Sequence, residues 1–286
     1  MSKSAEKKLT VYTAKSPLME PGKLFREMLS DLKASVGLAM RLTGRDIAAQ
    51  YRQTALGYFW AVLPPLVTSL TFILLNRANV IETGAMNLPY PVFVIAGTIF
   101  WQLFVDALNA PLKVVNVNRA MLSKISFPKE ALVLSGILQV LFGFAIKLVL
   151  LFAVIAIFRV PVQITAFAAL LSLLGLLGIG TLCGVFLVPI GVLYQDIREG
   201  LLIMTGALMF FSPVVYPPPA QGFLATIIAY NPLTPFLMLC REAFFDGTLH
   251  YLPQTLAIMG VAAILLLAGW VSYRVSLPII IERMDA

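Results

Sequence analysis

Two stretches limit what this chain can become. From Ala131 to Phe158 it runs 28 residues with a single charge, Lys147; from Ile164 to Tyr194 it runs 31 residues with none. Apolar runs of about 18 residues or more are long enough to cross a bilayer as a helix. The composition points the same way. Of 286 residues, 59% are hydrophobic and 12% charged, against roughly 45–50% and 25% in ordinary soluble domains. This excludes a soluble globule, and a disordered chain needs the reverse balance. The expectation is an all-α polytopic membrane protein without room for a separate soluble catalytic domain.

Four further segments complete six expected spans. Tyr58–Asn76 is the first, with Pro64-Pro65 as a kink near its start. Pro91–Leu112 is the second and carries Gln102, Asp106 and Asn109. Ala131–Phe158 and Ile164–Tyr194 follow, the latter rich in glycine, which lets helices approach closely. Leu201–Tyr216 is the fifth and Pro253–Arg274 the sixth. Ahead of them, Gly22–Leu42 repeats apolar residues every three to four positions. Its other face holds Lys23, Arg26, Glu27, Asp31 and Lys33, as in an amphipathic helix lying in the membrane interface. Residues 1–57 thus form a cytoplasmic N-terminal region and residues 58–286 the spanning domain.

Orientation follows from the positive charges. Of 21 Lys and Arg, seventeen fall on one side of this scheme: ten before the first span, then Lys113, Arg119, Lys124, Lys129, Arg198, Arg274 and Arg283. The other side holds Arg77, Arg159 and Arg241, and Lys147 lies within the membrane. Basic loops stay cytoplasmic, so both termini are expected there.

Residues 216–252, between the last two expected spans, are broken by Pro217-Pro218-Pro219, Asn231-Pro232 and Pro235. The pieces between, Phe223–Tyr230 and Phe236–Phe245, are apolar but too short to cross. Two extracytoplasmic half-helices account for them; a packed loop is the plainer alternative.

Enzyme signatures are scarce. The chain has no GxxxxGK[ST] phosphate loop, no HExxH and no GxSxG. Two cysteines and a lone His250 support neither a metal site nor a disulfide framework. Charge inside a membrane is rarely idle, which singles out Asp106 and Lys147, on different spans. The loop 113–130 stands out more. It reads KVVNVNRAMLSKISFPKE, with apolar knobs between basic flanks, a pattern able to dock in a groove of a soluble partner.

Several motifs together resemble the bacterial polysaccharide ABC exporter permeases. They are Arg45-Asp46-Ile47 with Tyr51, Leu56-Gly57, Trp60 and Pro64; Asn118-Arg119; Lys124 to Glu130; Gln195-Asp196-Ile197-Arg198; Phe211-Ser212-Pro213-Val214 with Tyr216-Pro217; and Asn231-Pro232-Leu233-Thr234. They stand in the family's order over most of the chain, although Gln195 stands where that family usually carries an Arg. The family includes exporters of O-antigen (the lipopolysaccharide side chain), capsule and teichoic acid. The resemblance implies a homodimer in the cytoplasmic (inner) membrane, bound to two ATP-binding cassette subunits that hold ATP and Mg²⁺. No cofactor on this chain and no nucleic acid are expected. It implies a coupling helix in 113–130, with Asn118, Arg119, Lys124, Phe127, Pro128, Lys129 and Glu130 docking the ATPase. It also implies an outer gate in 216–252, at Tyr230, Asn231, Pro232 and Arg241.

Sugars moving through a membrane need hydrogen bonds and ring faces to stack on. Tyr58, Phe59, Trp60, Trp101, Phe210, Phe211 and Tyr216, with Asp106 and Lys147, are the residues expected to line the path for a lipid-linked polysaccharide. An exporter of drugs or small lipids, and a membrane-embedded transferase, are the alternatives weighed.

Overall fold

The computed structural model describes residues 21–52, 54–80, 88–122, 127–219 and 221–284. These form helices α1 (Pro21–Arg52), α2 (Phe59–Arg77), α3 (Tyr90–Val117), α4 (Arg119–Leu122), α5 (Glu130–Phe158), α6 (Ala166–Gly191), α7 (Asp196–Phe210), α8 (Phe223–Tyr230), α9 (Thr234–Arg241) and α10 (Leu252–Met284). A π-helical turn, Glu242–Asp246, continues α9. The architecture is all-α, as expected.

Among the described residues, five helices are long and apolar enough to cross a membrane unaided: α2, α3, α5, α6 and the Leu252–Leu277 part of α10. The expected fifth span is corrected. Only Asp196–Phe210 is helical there, 15 residues, about 22 Å at 1.5 Å per residue and short of a ~30 Å hydrocarbon core. The segment 211–216 turns instead of continuing the helix. Next, α8 and the α9–π unit meet at an 88° bend at Asn231-Pro232, and together they pass as a sixth, broken span or a re-entrant loop.

The most buried helix is α3, lying between α5 and α6. The α3–α6 seam depends on glycine. A methyl group at Gly180 would sit 2.6 Å from the Phe104 carbonyl, and one at Gly184 would overlap the Leu108 carbonyl. Without side chains there, the helices approach to backbone contact, where packing is strongest in a membrane. On α2, only Pro65, Ser69 and Phe72 are buried, while Val67, Leu70 and Leu74 face outward. Ser69 and Thr98 share a buried hydrogen bond of 2.8 Å that joins α2 to α3.

The amphipathic helix is longer than expected, reaching Arg52, and its apolar residues divide. Met28, Ala39 and Leu42 are buried, whereas Val36 and Met40 are exposed. Ser35, also buried, satisfies its hydroxyl on the Asp31 carbonyl at 2.6 Å. Packing on α5, seen in the Thr43–Ser135 hydrogen bond, replaces part of the expected lipid contact.

Candidate functional site

The principal feature is a cleft of about 260 Å³ walled by α1, α2, α3 and α5. Two helical stripes supply its polar lining. On α3, Gln102, Asp106, Asn109 and Lys113 recur every three to four residues and share one face. On α5, Gly136, Gln139, Gly143 and Lys147 do the same; Gly143 leaves open space, and Gly136 lets α5 approach Ala110 and Val114 of α3. The floor is an ion pair. Lys147 Nζ lies 2.5 Å from Asp106 Oδ2, and Gln102 Nε2 donates to Asp106 Oδ1 at 2.8 Å. The Lys147 side chain is 5% exposed and that of Asp106 31%, so the acid faces the cleft and covers the amine. Lys147 lies 17 residues beyond Glu130, about 25 Å along α5, which puts the pair well inside that helix's apolar stretch.

Aromatic rings form one wall. Tyr51 and Tyr58 lie with centroids 4.6 Å apart, and Phe142 approaches Tyr58 at 5.8 Å. Tyr51, Trp60 and Phe142 all line the cleft. The Tyr51 hydroxyl is held above its usual pKa, chiefly by burial and then by the neighbouring Tyr58 and Asp106, so it stays a neutral donor. A second hollow of about 300 Å³ adjoins at the basic end, sharing Gln50, Lys113, Val114 and Gln139.

From the cleft, a chain of contacts leads to the 113–130 segment. Lys113 Nζ reaches Gln50 at 3.3 Å, and Gln139 donates to Asp46 Oδ2 at 3.1 Å. Arg45 holds Asp46 at 2.7 Å and the buried Asn118 at 2.6 Å. The segment forms the four-residue helix α4, with Arg119 exposed and Leu122 buried. Phe127 is half-buried against the protein's own core. Lys124 lies outside the described residues. Glu130, expected to face a partner, is instead buried and occupied: Arg274 reaches it at 2.8 Å and Trp270 Nε1 at 3.4 Å. The same Arg274 binds Asp31 at 2.6 Å, which ties α1, α5 and α10 together. Lys129 lies beside them, its pKa lowered by burial first and by Arg274 second, against an opposing pull from Glu130.

At the opposite end, α8 and α9 differ. On α8, Phe223 and Tyr230 are strongly exposed, whereas Phe236, Leu237, Leu239 and Cys240 of α9 are fully buried. Arg241, expected as a loop charge at the outer face, is buried too. Its Nη1 donates to the Pro213 carbonyl, its Nη2 to the Val214 carbonyl at 2.5 Å, and its guanidinium stacks 3.9 Å from the Phe93 ring centroid. Asn231 Nδ2 donates to the Phe211 carbonyl at 2.9 Å and the Ser212 hydroxyl at 2.8 Å. Its Oδ1 accepts from Leu233 N at 2.9 Å and closes the turn that leads into α9. These donors meet carbonyls that the early end of α7 leaves without helical partners, as a low-dielectric setting requires. Phe211, Tyr230 and Pro232 line an open groove of about 480 Å³ at this end of the bundle.

The path residues expected from sequence therefore separate. Tyr58, Trp60, Asp106 and Lys147 gather at the cleft. Phe59 is exposed at the start of α2, and Trp101 is buried against Phe104. Phe210 meets Phe72, and the Tyr216 hydroxyl donates to the Phe210 carbonyl, both at the C-terminal end of α7. Sequence reasoning passed over Gln50, Gln139 and Phe142 as site residues. For Gln139, the signal was present as a polar residue eight positions before Lys147 on the same helical face.

The profile of the ABC-2 type transporters matches residues 38–245. The chain belongs to the ABC-2 transporter family. Among curated relatives of this ABC-2 transporter is the O-antigen export system permease protein RfbA of Klebsiella pneumoniae, 24% identical over 220 residues, 75% of this chain and 82% of that one. RfbA of Myxococcus xanthus is 24% identical over 251 residues, 82% and 89% of the two chains. The polysialic acid transport protein KpsM of Escherichia coli is 26% identical over 211 residues, 71% and 79%. The matched region takes in the cleft, the 113–130 segment and the α8–α9 hairpin.

Proposed function

We propose that this chain is the permease subunit of an ATP-driven exporter that carries a lipid-linked polysaccharide across the cytoplasmic membrane. The observation that carries the reading is the cleft, which joins side-chain amides, a half-exposed carboxylate and aromatic rings deep in the apolar bundle. Sugars present hydroxyls on their rims and CH groups on their faces, and this lining meets both. A drug-sized apolar cargo would need neither the amides nor the ion pair. The relatives' roles in O-antigen export and polysialic acid transport support the same substrate class.

On this reading, the basic end is cytoplasmic. Two copies of the chain pair with two ATP-binding subunits, which supply ATP, Mg²⁺ and hydrolysis. The ATPases dock on 113–130 through Asn118, Arg119, Lys124, Phe127, Pro128 and Lys129. ATP-driven closure displaces α4, and the Arg45–Asn118 contact passes the movement to α1, which forms one wall of the cleft. The α8–α9 hairpin, with Tyr230, Asn231, Pro232 and Arg241, forms the outer exit.

Deletion tests the substrate. Cells lacking the chain should hold lipid-linked polysaccharide on the inner face of the membrane and lose it from the surface, with both reversed by the intact gene. If surface polysaccharide is unchanged and no lipid-linked glycan is retained, the reading fails. Orientation is tested separately: cysteines at Arg119 should resist a membrane-impermeant thiol reagent in intact cells, and cysteines at Gly247 should react.

A further inference from the structure

The charge balance of the cleft selects among polysaccharides. Three charged residues line it: Asp106, Lys113 and Lys147. At depth, Lys147 is spent on Asp106 at 2.5 Å, and the second Asp106 oxygen already accepts from Gln102. Near the mouth, Arg45 is committed to Asp46 and Asn118. Lys113 is exposed at the basic rim, more than a helical turn from Asp106, and donates to Gln50. The deep half therefore carries no net charge.

That balance suits one kind of cargo. An anion drawn into a low-dielectric site needs a cation to replace its water, or it bears a penalty of several kcal/mol. Among the described residues that line the cleft, the one deep cation, Lys147, is covered by its own counter-ion. A neutral sugar ring needs hydrogen-bond partners and a flat apolar surface. Asn109 donates to its own helix at Val105, and its Oδ1, like Gln102 Oε1, has no protein partner among the described residues. With the half-buried Asp106 carboxylate they form a row of acceptors for hydroxyl donors in a cleft also lined by the rings of Tyr51 and Trp60.

We infer that the glycan passing through this cleft has uncharged, hydroxyl-rich repeat units, and that Asp106 sets this preference by neutralising Lys147 while accepting sugar hydroxyls. The inference rests on the polysaccharide reading and narrows it, because the relatives of this chain include a transporter of polysialic acid, a polyanion. Asp106 is thus a specificity residue and Lys147 its positioning partner.

Two measurements test it. In the first, the lipid-linked glycan retained by cells lacking this chain is released from its lipid by mild acid and run on an anion-exchange column. It should pass unretained, with mass spectrometry showing no acidic sugar. A retained, acidic glycan overturns the inference and leaves the polysaccharide reading standing. Absence of any trapped glycan sinks that reading and this one with it. In the second, export of the same glycan is followed in Asp106→Asn, Lys147→Met and the double variant at matched membrane levels. Asp106→Asn exposes an unpaired ammonium and should lower export about ten-fold through a raised apparent KM, while the double variant, neutral again, should recover roughly half of normal export. Asp106→Glu should keep the preference and most of the rate. Normal export by Asp106→Asn, or a double variant as inactive as the single one, shows that charge balance does not govern the cleft and overturns the proposal. Melting each variant separates collapse of the fold from loss of recognition: the double variant should melt within a few degrees of the parent chain.

Discussion

Replacing Arg241 with Met isolates the element that joins the α8–α9 hairpin to the broken end of α7. The guanidinium makes two hydrogen bonds to the carbonyls of Pro213 and Val214 and stacks on Phe93. A hydrogen bond from a charged donor contributes about 1.5–3 kcal/mol, and a desolvated cation over a ring about 1–2 kcal/mol. Methionine fills similar volume and removes a buried charge, which returns part of the gross loss, but it leaves two carbonyls unpaired at membrane depth. Removing one side of a buried charged contact costs about 3–5 kcal/mol net. At about 2–4 °C per kcal/mol for a chain of this size, the melting temperature should fall by roughly 6–20 °C. Cys240, fully buried one residue away, makes the assay direct: a thiol-reactive dye follows its exposure on heating. Gly97→Ala should have a similar effect from the other side, since a methyl group there would overlap both Arg241 Nη2 and the Val214 carbonyl. If Arg241→Met melts within about 1 °C of the parent chain and Cys240 stays protected, Arg241 does not hold the hairpin and the two unpaired carbonyls carry no cost.

Three other outcomes are expected. Gly184→Leu should force α6 away from Leu108 and Pro111 of α3 and destabilise the protein by about 1–3 kcal/mol or more, read as a lower melting temperature. Asn118→Ala removes the contact from Arg45 of α1 to the α3–α4 junction, so export should fall several-fold while the assembled complex still hydrolyses ATP; equal loss of both activities would place Asn118 in assembly instead. The folded-state pKa of Lys129 is lowered, so folding opposes its charged form below that pKa, and the opposition fades as pH rises towards the unfolded value of 10.5. Lys129→Gln should therefore melt higher than the parent near about pH 8, and the difference should shrink by about pH 10.

Much of the spanning architecture was legible in the chain itself. Uninterrupted apolar length dictates helices such as α5 and α6, because a backbone in lipid has no water to satisfy its hydrogen bonds. The Asn231-Pro232 break between α8 and α9 was equally readable, since the residue before a proline is driven out of helical geometry and asparagine favours a turn. Asp106 and Lys147 stood out because charge in an apolar run is costly, and the polar stripe Gln102–Asp106–Asn109 was visible on one face of α3.

Composition could not say which partner each polar group meets. Leu201–Tyr216 looks apolar enough to continue, yet the helix stops at Phe210, where donors from residues 20 to 30 positions later meet the carbonyls it leaves open. Arg241 reads as a loop charge and Glu130 as a docking acid, but each is buried by partners distant in sequence: Pro213 and Val214 for one, Arg274 for the other. Trp101 and Trp60 are both aromatic residues on expected spans. Only the packing of α3 turns one into the core, while the edge position of α2 leaves the other at the cleft. Hydrophobic length and proline position act locally, so they can be read along the chain. Burial of a charge and the opening of a cleft depend on helices meeting across the bundle, and the tertiary structure alone decides them.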